Sequence, residues 1–391
     1  MFQGDRQLDH TQKLTIDRAM AEARRETGLS DFGDDPFAEA LAKLCECAVT
    51  ELEFTDMGAL SFQSTIVRFL VNRLRLQKDL KDHPEILEED VDDPLVVLGM
   101  PRTGTTKLQR MLSADPHNQR LELWRLLNPA PFPGELPGKP EGRLAFAKIV
   151  EDATKANPDF LASHETAARE ADEDSYLLLN AFDYDMLHNI FTADSFLRWV
   201  RSRSGIPAHA YEKKLLQYLQ WQDGGRRGRR WVLKNPGAVG HLRAMSETFP
   251  KAAFIYSHRS LTEVLPSYCR LMESIYRPLY KKVDPQEVGR QCLLFWGESM
   301  RRFAKDRADL AGQLNFMEVP YLDLVRDPLS AIKEFYRRAG VAYTKEGEAG
   351  IRAWSAANRQ HKFGKAESSL ERYGLTEAMI REEFGIGAFA S

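Results

Sequence analysis

Apolar and polar positions follow two rhythms along this chain. Over Thr15–Thr27, Pro36–Glu53 and Leu60–Leu80, apolar residues recur every third or fourth position among Ala, Glu, Arg and Leu. That spacing predicts helices across the first 92 residues. The run Pro94-Leu-Val-Val-Leu-Gly99 is different, being short, apolar, partly β-branched and bounded by Pro and Gly. It predicts a buried strand. A loop, Met100-Pro-Arg-Thr-Gly104, follows, and Thr105–Leu112 then has helical spacing with Leu108, Met111 and Leu112 on one face. Five prolines make Asn128–Gly142 loop-like, and residues 144–222 read as mostly helical and rich in aromatics.

From there, strand and helix alternate. Trp231–Lys234, Ala252–Tyr256 and Leu314–Val319 read as strands, and 238–248, 261–273 and 328–339 as helices. This rhythm predicts a parallel, three-layer α/β sheet. Glu88–Asp93 reads as an acidic, solvated link between the helical start and the sheet. The expected division is therefore a helical region at 1–92 packed on an α/β domain at 93–391, with a mostly helical insertion at 115–229. The basic turn Gly224-Gly-Arg-Arg-Gly-Arg-Arg230 is either a solvated loop or a contact for phosphate or an acidic substrate.

Composition narrows the function. In 391 residues, 54 Lys and Arg nearly balance 57 Asp and Glu, a net charge of −3. A generally basic nucleic-acid binder is excluded, but a local anion pocket is not. No apolar run is long enough to span a membrane, and MFQGDRQLDH lacks the apolar core of a secretory signal. Four sparse cysteines (Cys45, Cys47, Cys269, Cys292) read as buried thiols. The expected location is the cytoplasm. No metal-ligating pattern stands out, since Cys45 and Cys47 are one residue apart instead of two.

Candidate chemistry begins at Gly99-x-x-x-x-Gly104, between a predicted strand and a predicted helix. Backbone N–H groups there can converge on one anion, and the helix dipole favours it. The loop departs from the Walker A pattern, because Thr105-Thr106 follow Gly104 where Lys-Ser/Thr would hold a triphosphate and magnesium. Arg102 supplies a cation inside the loop instead, and Trp231–Lys234 ends in Lys rather than an acid. The loop suits a single phosphate without a metal.

Pro101-Arg-Thr-Gly-Thr-Thr106 resembles the 5′-phosphosulfate loop of the sulfotransferases, which use 3′-phosphoadenosine 5′-phosphosulfate (PAPS). Phe254-Ile-Tyr-Ser-His-Arg259, with Ser267 eight residues on, resembles their 3′-phosphate motif. Arg offers a charge-assisted fork and Ser a neutral donor. Leu123-Trp-Arg-Leu-Leu-Asn-Pro129 and Trp231-Val-Leu-Lys-Asn-Pro236 resemble further stretches of the soluble bacterial-type branch, as does His164 followed by Asp172-Glu-Asp174. Residues 354–378, with His361, Lys362, Gly364 and Lys365, resemble its nucleotide-covering loop. Two positions depart from that branch: Arg125 stands where Glu is usual, and Ala238 where His is usual.

The resemblance implies a three-layer P-loop-like parallel sheet flanked by helices, with the helical insertion building an acceptor site. It implies sulfuryl transfer from PAPS to a hydroxyl, less readily an amine, of a small or lipid-like acceptor, without a metal. The implied nucleotide contacts are Arg102, Thr103, Gly104, Thr105, Thr106, Arg259, Ser267, Lys362, Gly364 and Lys365. Lys234 is placed to meet the sulfuryl group, and Glu173 is the preferred base, with His164 its rival and His241 open between chemistry and packing. A solvated helix face is the plainer account of the acids Glu170, Asp172, Glu173 and Asp174. Phe132, Phe160, Tyr176, Phe182, Tyr184, Phe191, Phe196 and Trp199 allow an apolar acceptor or belong to the core. The alternatives are a catalytically weak protein binding the product nucleotide, 3′-phosphoadenosine 5′-phosphate (PAP), and a divergent P-loop kinase. Oligomeric state and acceptor identity are open.

Overall fold

The computed structural model describes residues 15–226, 228–358 and 368–385. Five strands form one parallel sheet: β1 (Leu95–Leu98), β2 (Asn118–Arg120), β3 (Arg230–Lys234), β4 (Ala253–His258) and β5 (Asn315–Pro320), in the order β2-β3-β1-β4-β5. β2 is the strand that the hydrophobic pattern does not announce. Its residues, Asn-Gln-Arg, are polar, and it owes its place to parallel pairing with β3.

Alternation along the strands divides the interior into two cores. Val96 and Leu98 of β1, Trp231 and Leu233 of β3, and Phe254 and Tyr256 of β4 face one side. Leu95, Val97, Val232, Ala253 and Ile255 face the other. A strand buried on both faces reads as a continuous apolar run, which is why Leu95–Leu98 is so legible. Each such Leu or Val contributes about 1.5–3 kcal/mol by leaving water. The second core is closed by the helices Thr105–Ser113, Pro328–Ala339 and Lys345–Ala357.

The first core is larger and includes the helical start of the chain. The helices Ile16–Thr27, Phe37–Glu51 and Asp56–Asp82 form as predicted. Thr15 and Thr55 cap the first and third of them through their hydroxyls. Their apolar faces join the same cluster as Leu177, Phe182, Tyr211 and Trp296. Buried Arg73 lies between the rings of Phe37 and Tyr211, at 4.2 and 4.1 Å, and pairs with Asp35 at 3.2 Å.

Two expectations need correction. The acidic link is not simply solvated, because it pairs with arginines of the basic turn. Arg226 pairs with Asp90 at 3.0 Å and Asp93 at 2.6 Å, and Arg230 with Asp93 at 3.1 Å. Residues 144–222 are mostly helical, as expected, with an interruption of non-helical backbone over 164–174. The predicted helix at 238–248 opens as a 3-10 turn, Pro236–His241, before the α-helix Leu242–Thr248. Of the eight aromatics, Phe182, Tyr184, Phe191 and Phe196 are core residues, whereas Phe132, Phe160, Tyr176 and Trp199 are only partly buried.

Candidate functional site

Parallel strands end on one edge of the sheet, and that edge gathers the chemistry. The loop after β1 carries Arg102, Asn235 follows β3, Arg259 follows β4 and Tyr321 follows β5. Lys234, the last residue of β3, is level with Val97 on neighbouring β1.

Backbone geometry shapes the loop. Gly99 has φ 147°, and a Cβ there would meet the Ser257 carbonyl at 2.4 Å. Gly104 has φ 85° and provides no side-chain cap for the helix Thr105–Ser113, so the first N–H groups of that helix have no side-chain acceptor from it. Thr103 turns inward and donates to the Met100 carbonyl at 2.8 Å, while Ser257 donates to the Thr103 carbonyl at 2.6 Å. Thr103 can therefore offer a ligand only its backbone N–H. Thr105 is buried and Thr106 half-buried at the helix start.

Arg102 itself has φ 71°, a left-handed conformation that costs a non-glycine residue about 1–3 kcal/mol. The turn sends its side chain across to β4 and the helix that follows. Arg102 Nε donates to Ser267 Oγ at 3.1 Å, and Arg259 reaches the Arg102 carbonyl at 3.4 Å. Arg259 is held by Glu263 at 2.8 Å and lies over the Tyr321 ring at 4.5 Å. Burial, then the like charges of Arg259 and Arg270, lower the pKa of Arg102 from the usual arginine value. Clustered guanidiniums that oppose one another's charge suit a dianionic phosphate. Neither Glu263 nor Tyr321 was picked out from the sequence. The Arg259–Glu263 spacing of four on a helix was the available signal.

The acidic stretch is the second half of the site, and it is extended rather than helical. Glu122 and Ala171 form an antiparallel bridge, and Asp172 N donates to the Leu121 carbonyl at 3.0 Å. The helix behind the loop also grips it, with Gln109 Nε2 on the Asp172 carbonyl at 2.7 Å and Arg110 Nε on the Ala171 carbonyl at 3.1 Å. Asp172 and Asp174 are buried, while Glu173 between them is only half-buried. Glu173 Oε1 meets Lys234 Nζ at 2.6 Å. His164 Nε2 lies 3.1 Å from Asp172 Oδ1, beside the Phe160 ring. Burial alone would raise the Asp172 carboxyl, but His164, Lys234 and Arg110 hold it well below the usual carboxylate range.

Other candidates are placed elsewhere. His241 is buried 3.1 Å from Asp185 Oδ1 and packs near Tyr184 and His209. His188 is buried against Phe295, and burial pushes it down to about 4. Arg125 pairs with both oxygens of Asp223 at 3.0 Å, a structural use that accounts for its departure from the expected Glu. Lys362, Gly364 and Lys365, with His361, lie outside the described residues, and the helix before them ends at Ala357. All four cysteines are buried thiols. No helix among the described residues is long and apolar enough to cross a membrane.

Comparison with known proteins agrees with this architecture. The profile of the sulfotransferase family (Sulfotransfer_3) matches residues 94–345. A sulfotransferase from Mycobacterium avium, STF9, is 28% identical with a TM-score of 0.84, covering 97% of this chain and 96% of that one. STF1 from Mycobacterium tuberculosis H37Rv is 28% identical with a TM-score of 0.78, covering 95% and 98%. An omega-hydroxy-beta-dihydromenaquinone-9 sulfotransferase, Stf3, from Mycobacterium tuberculosis is 25% identical over 181 residues. That match spans 45% of this chain and 44% of the relative, less than half of its length. The loop without its Lys and the family profile set the kinase alternative aside: the chain is an enzyme of the sulfotransferase family.

Proposed function

We propose that this sulfotransferase moves the sulfuryl group of PAPS to the hydroxyl of a lipid-like acceptor without a metal. The observation that carries the reading is the convergence of Arg102, Arg259 and Ser267 beside the Glu173–Lys234 pair, all on one edge of the sheet. The donor set fits PAPS. Arg259 and Ser267 form a charged and a neutral donor for its 3′-phosphate. Backbone N–H groups from Arg102 to Thr106, with the helix dipole, suit its 5′-phosphosulfate. When bound, PAPS supplies the sulfuryl group.

The remaining steps belong to the chain. Lys234 Nζ presents a positive charge from a side chain 1% exposed, where few waters compete for it. Glu173, 18% exposed, orients that ammonium and takes the acceptor proton as hydroxyl attack proceeds. One observation favours His164 as an alternative base: Asp172 holds its Nε2 at 3.1 Å, which orients the ring. Partly buried Phe160 and Tyr176 flank these groups and suit an apolar acceptor, in keeping with the menaquinone derivative named for the relative.

Calorimetric titration with PAP, without metal and then with magnesium, tests the nucleotide half, with ATP as control. Tight metal-free PAP binding and weak ATP binding are expected. Transfer from labelled PAPS to hydroxylated isoprenoid quinones, compared with phenols and sterols, tests the acceptor. Activity is expected to survive EDTA. Magnesium-dependent binding, or no PAP binding, would overturn the reading.

A further inference from the structure

Behind Lys234 lies a second acidic pair that the reaction does not use directly. Residues 174 and 234 clamp each other. Asp174 N donates to the Lys234 carbonyl at 3.3 Å, and Lys234 N donates back to Asp174 Oδ1. Asp174 is fully buried, and so is Glu212, in the helix Ile206–Gln222. Asp174 Oδ2 and Glu212 Oε1 each lack an N–H or O–H donor. The two carboxyl groups nonetheless meet side chain to side chain. Two carboxylate oxygens can meet stably only if one carries a proton. No Lys or Arg among the described residues pairs with either acid. The other oxygen of Glu212 lies 2.8 Å from His209 Nδ1.

We propose that Asp174 and Glu212 share one buried proton, and that this acid pair is the positioning element that fixes the end of β3 so that Lys234 meets Glu173. The inference rests on the catalytic reading of Lys234 and Glu173. The chain of contacts is continuous: His209 to Glu212, Glu212 to Asp174, and Asp174 to the backbone of Lys234. Asp174 also directly follows Glu173, so one clamp sets both halves of the ion pair.

The surroundings keep the proton on the acids. His209 shares a helix with Glu212, and burial followed by the nearby His241 pushes it down to about 3, so it is neutral. Lys234 faces Glu173, while His241 and Arg201 face Asp185. Tyr184 stands near both acids and accepts from Asn235 at 2.8 Å. Burial raises the carboxyls of both Asp174 and Glu212, the latter to about 8. As Glu212 ionises, Asp174, held higher still by burial and by the Glu212 charge, keeps the proton between the two carboxyls.

The test uses infrared spectroscopy and kinetics together. Ligand-free wild-type protein should show carboxylic-acid C=O absorption that weakens as Glu212 ionises through about pH 8, and Glu212→Gln should lack that change. Gln keeps the same pattern, its amide donating to Asp174 and its oxygen facing His209. Glu212→Gln is therefore expected to hold kcat within about twofold of wild type. Glu212→Leu should lower kcat about 10–100-fold, the range for losing a group that orients an active side chain. PAP affinity should not change in either variant. Absence of a titrating band in the wild type, or equal damage from Gln and Leu, would overturn the proposal. Failure of the wild type to bind PAP would overturn the sulfuryl-transfer reading alone, because the band reports the proton without ligand.

Discussion

Arg102 Nε donates to Ser267 Oγ at 3.1 Å, joining the loop after β1 to the helix after β4 across 165 residues of sequence. The bond brings the two proposed phosphate sites into one electrostatic unit, because Arg259 reaches the Arg102 carbonyl from the same side. Arg259→Ala should weaken PAP binding by about 2–3 kcal/mol, the scale of a hydrogen bond to a charged group, and Ser267→Ala by about 1 kcal/mol. Calorimetry with PAP and with 5′-phosphoadenosine lacking the 3′-phosphate checks this. The Arg259 effect should vanish with the second ligand. Equal losses with both would remove Arg259 from the 3′-phosphate.

Glu173 and Lys234 should separate chemistry from binding. Glu173→Gln is expected to cut kcat about 10²–10⁴-fold, the usual worth of a general base, with PAP affinity unchanged. Lys234→Ala should also cost turnover, and it strands Glu173 without its 2.6 Å partner. Full activity in Glu173→Gln would pass the proton to His164, and His164→Asn would then carry the loss.

Acid and base sides of the stability curve should respond to different residues. Asp172 and Asp185 are held well below the usual range despite burial, by His164 and by His241 and Arg201 respectively. Their stabilisation is present above the unfolded value of about 3.9 and is lost as pH falls below it. Glu212 has the opposite sign. Its folded value of about 8 exceeds an unfolded value of about 4.3, so stability declines as pH rises between them. Urea unfolding across pH should show Asp172→Asn flattening the acid limb and Glu212→Gln flattening the decline toward pH 8. An unchanged acid limb in Asp172→Asn would contradict the depressed carboxyl.

Arg226 offers a control on the basic turn. Its pairs with Asp90 and Asp93 tie that turn to the acidic link. Arg226→Ala should cost about 1 kcal/mol, the upper end for surface pairs because Asp93 is half-buried, and should leave PAP affinity unchanged. A fall in PAP affinity would restore the phosphate contact.

Much of the fold was legible because both-face burial leaves a mark. Leu95–Leu98 is an unbroken apolar run since one set of side chains enters each core. The first two helices are legible because each exposes one face and buries the other, whereas the third is buried all round over Phe69–Leu74. β2 escaped because Asn-Gln-Arg has no apolar signal and its strand character comes from β3. The acidic stretch was misread as a helix face for a related reason. Its extended form is imposed by Leu121–Leu123, Gln109 and Arg110, partners far from it in sequence.

The sequence alone determined which residue types stand at the strand ends: the glycine-bounded loop with Arg102, the Arg259–Ser267 spacing and Lys234 after its strand. Strand, turn and helix are local, so their order survives in a linear reading. Tertiary structure decided which charges meet. Glu173 faces Lys234, Asp172 holds His164, Asp174 meets Glu212, and Arg226 is spent on Asp90 and Asp93. Those partners lie 8 to 136 residues apart. Burial and the low dielectric around the closest of them fix their protonation, and neither quantity exists until the chain has folded.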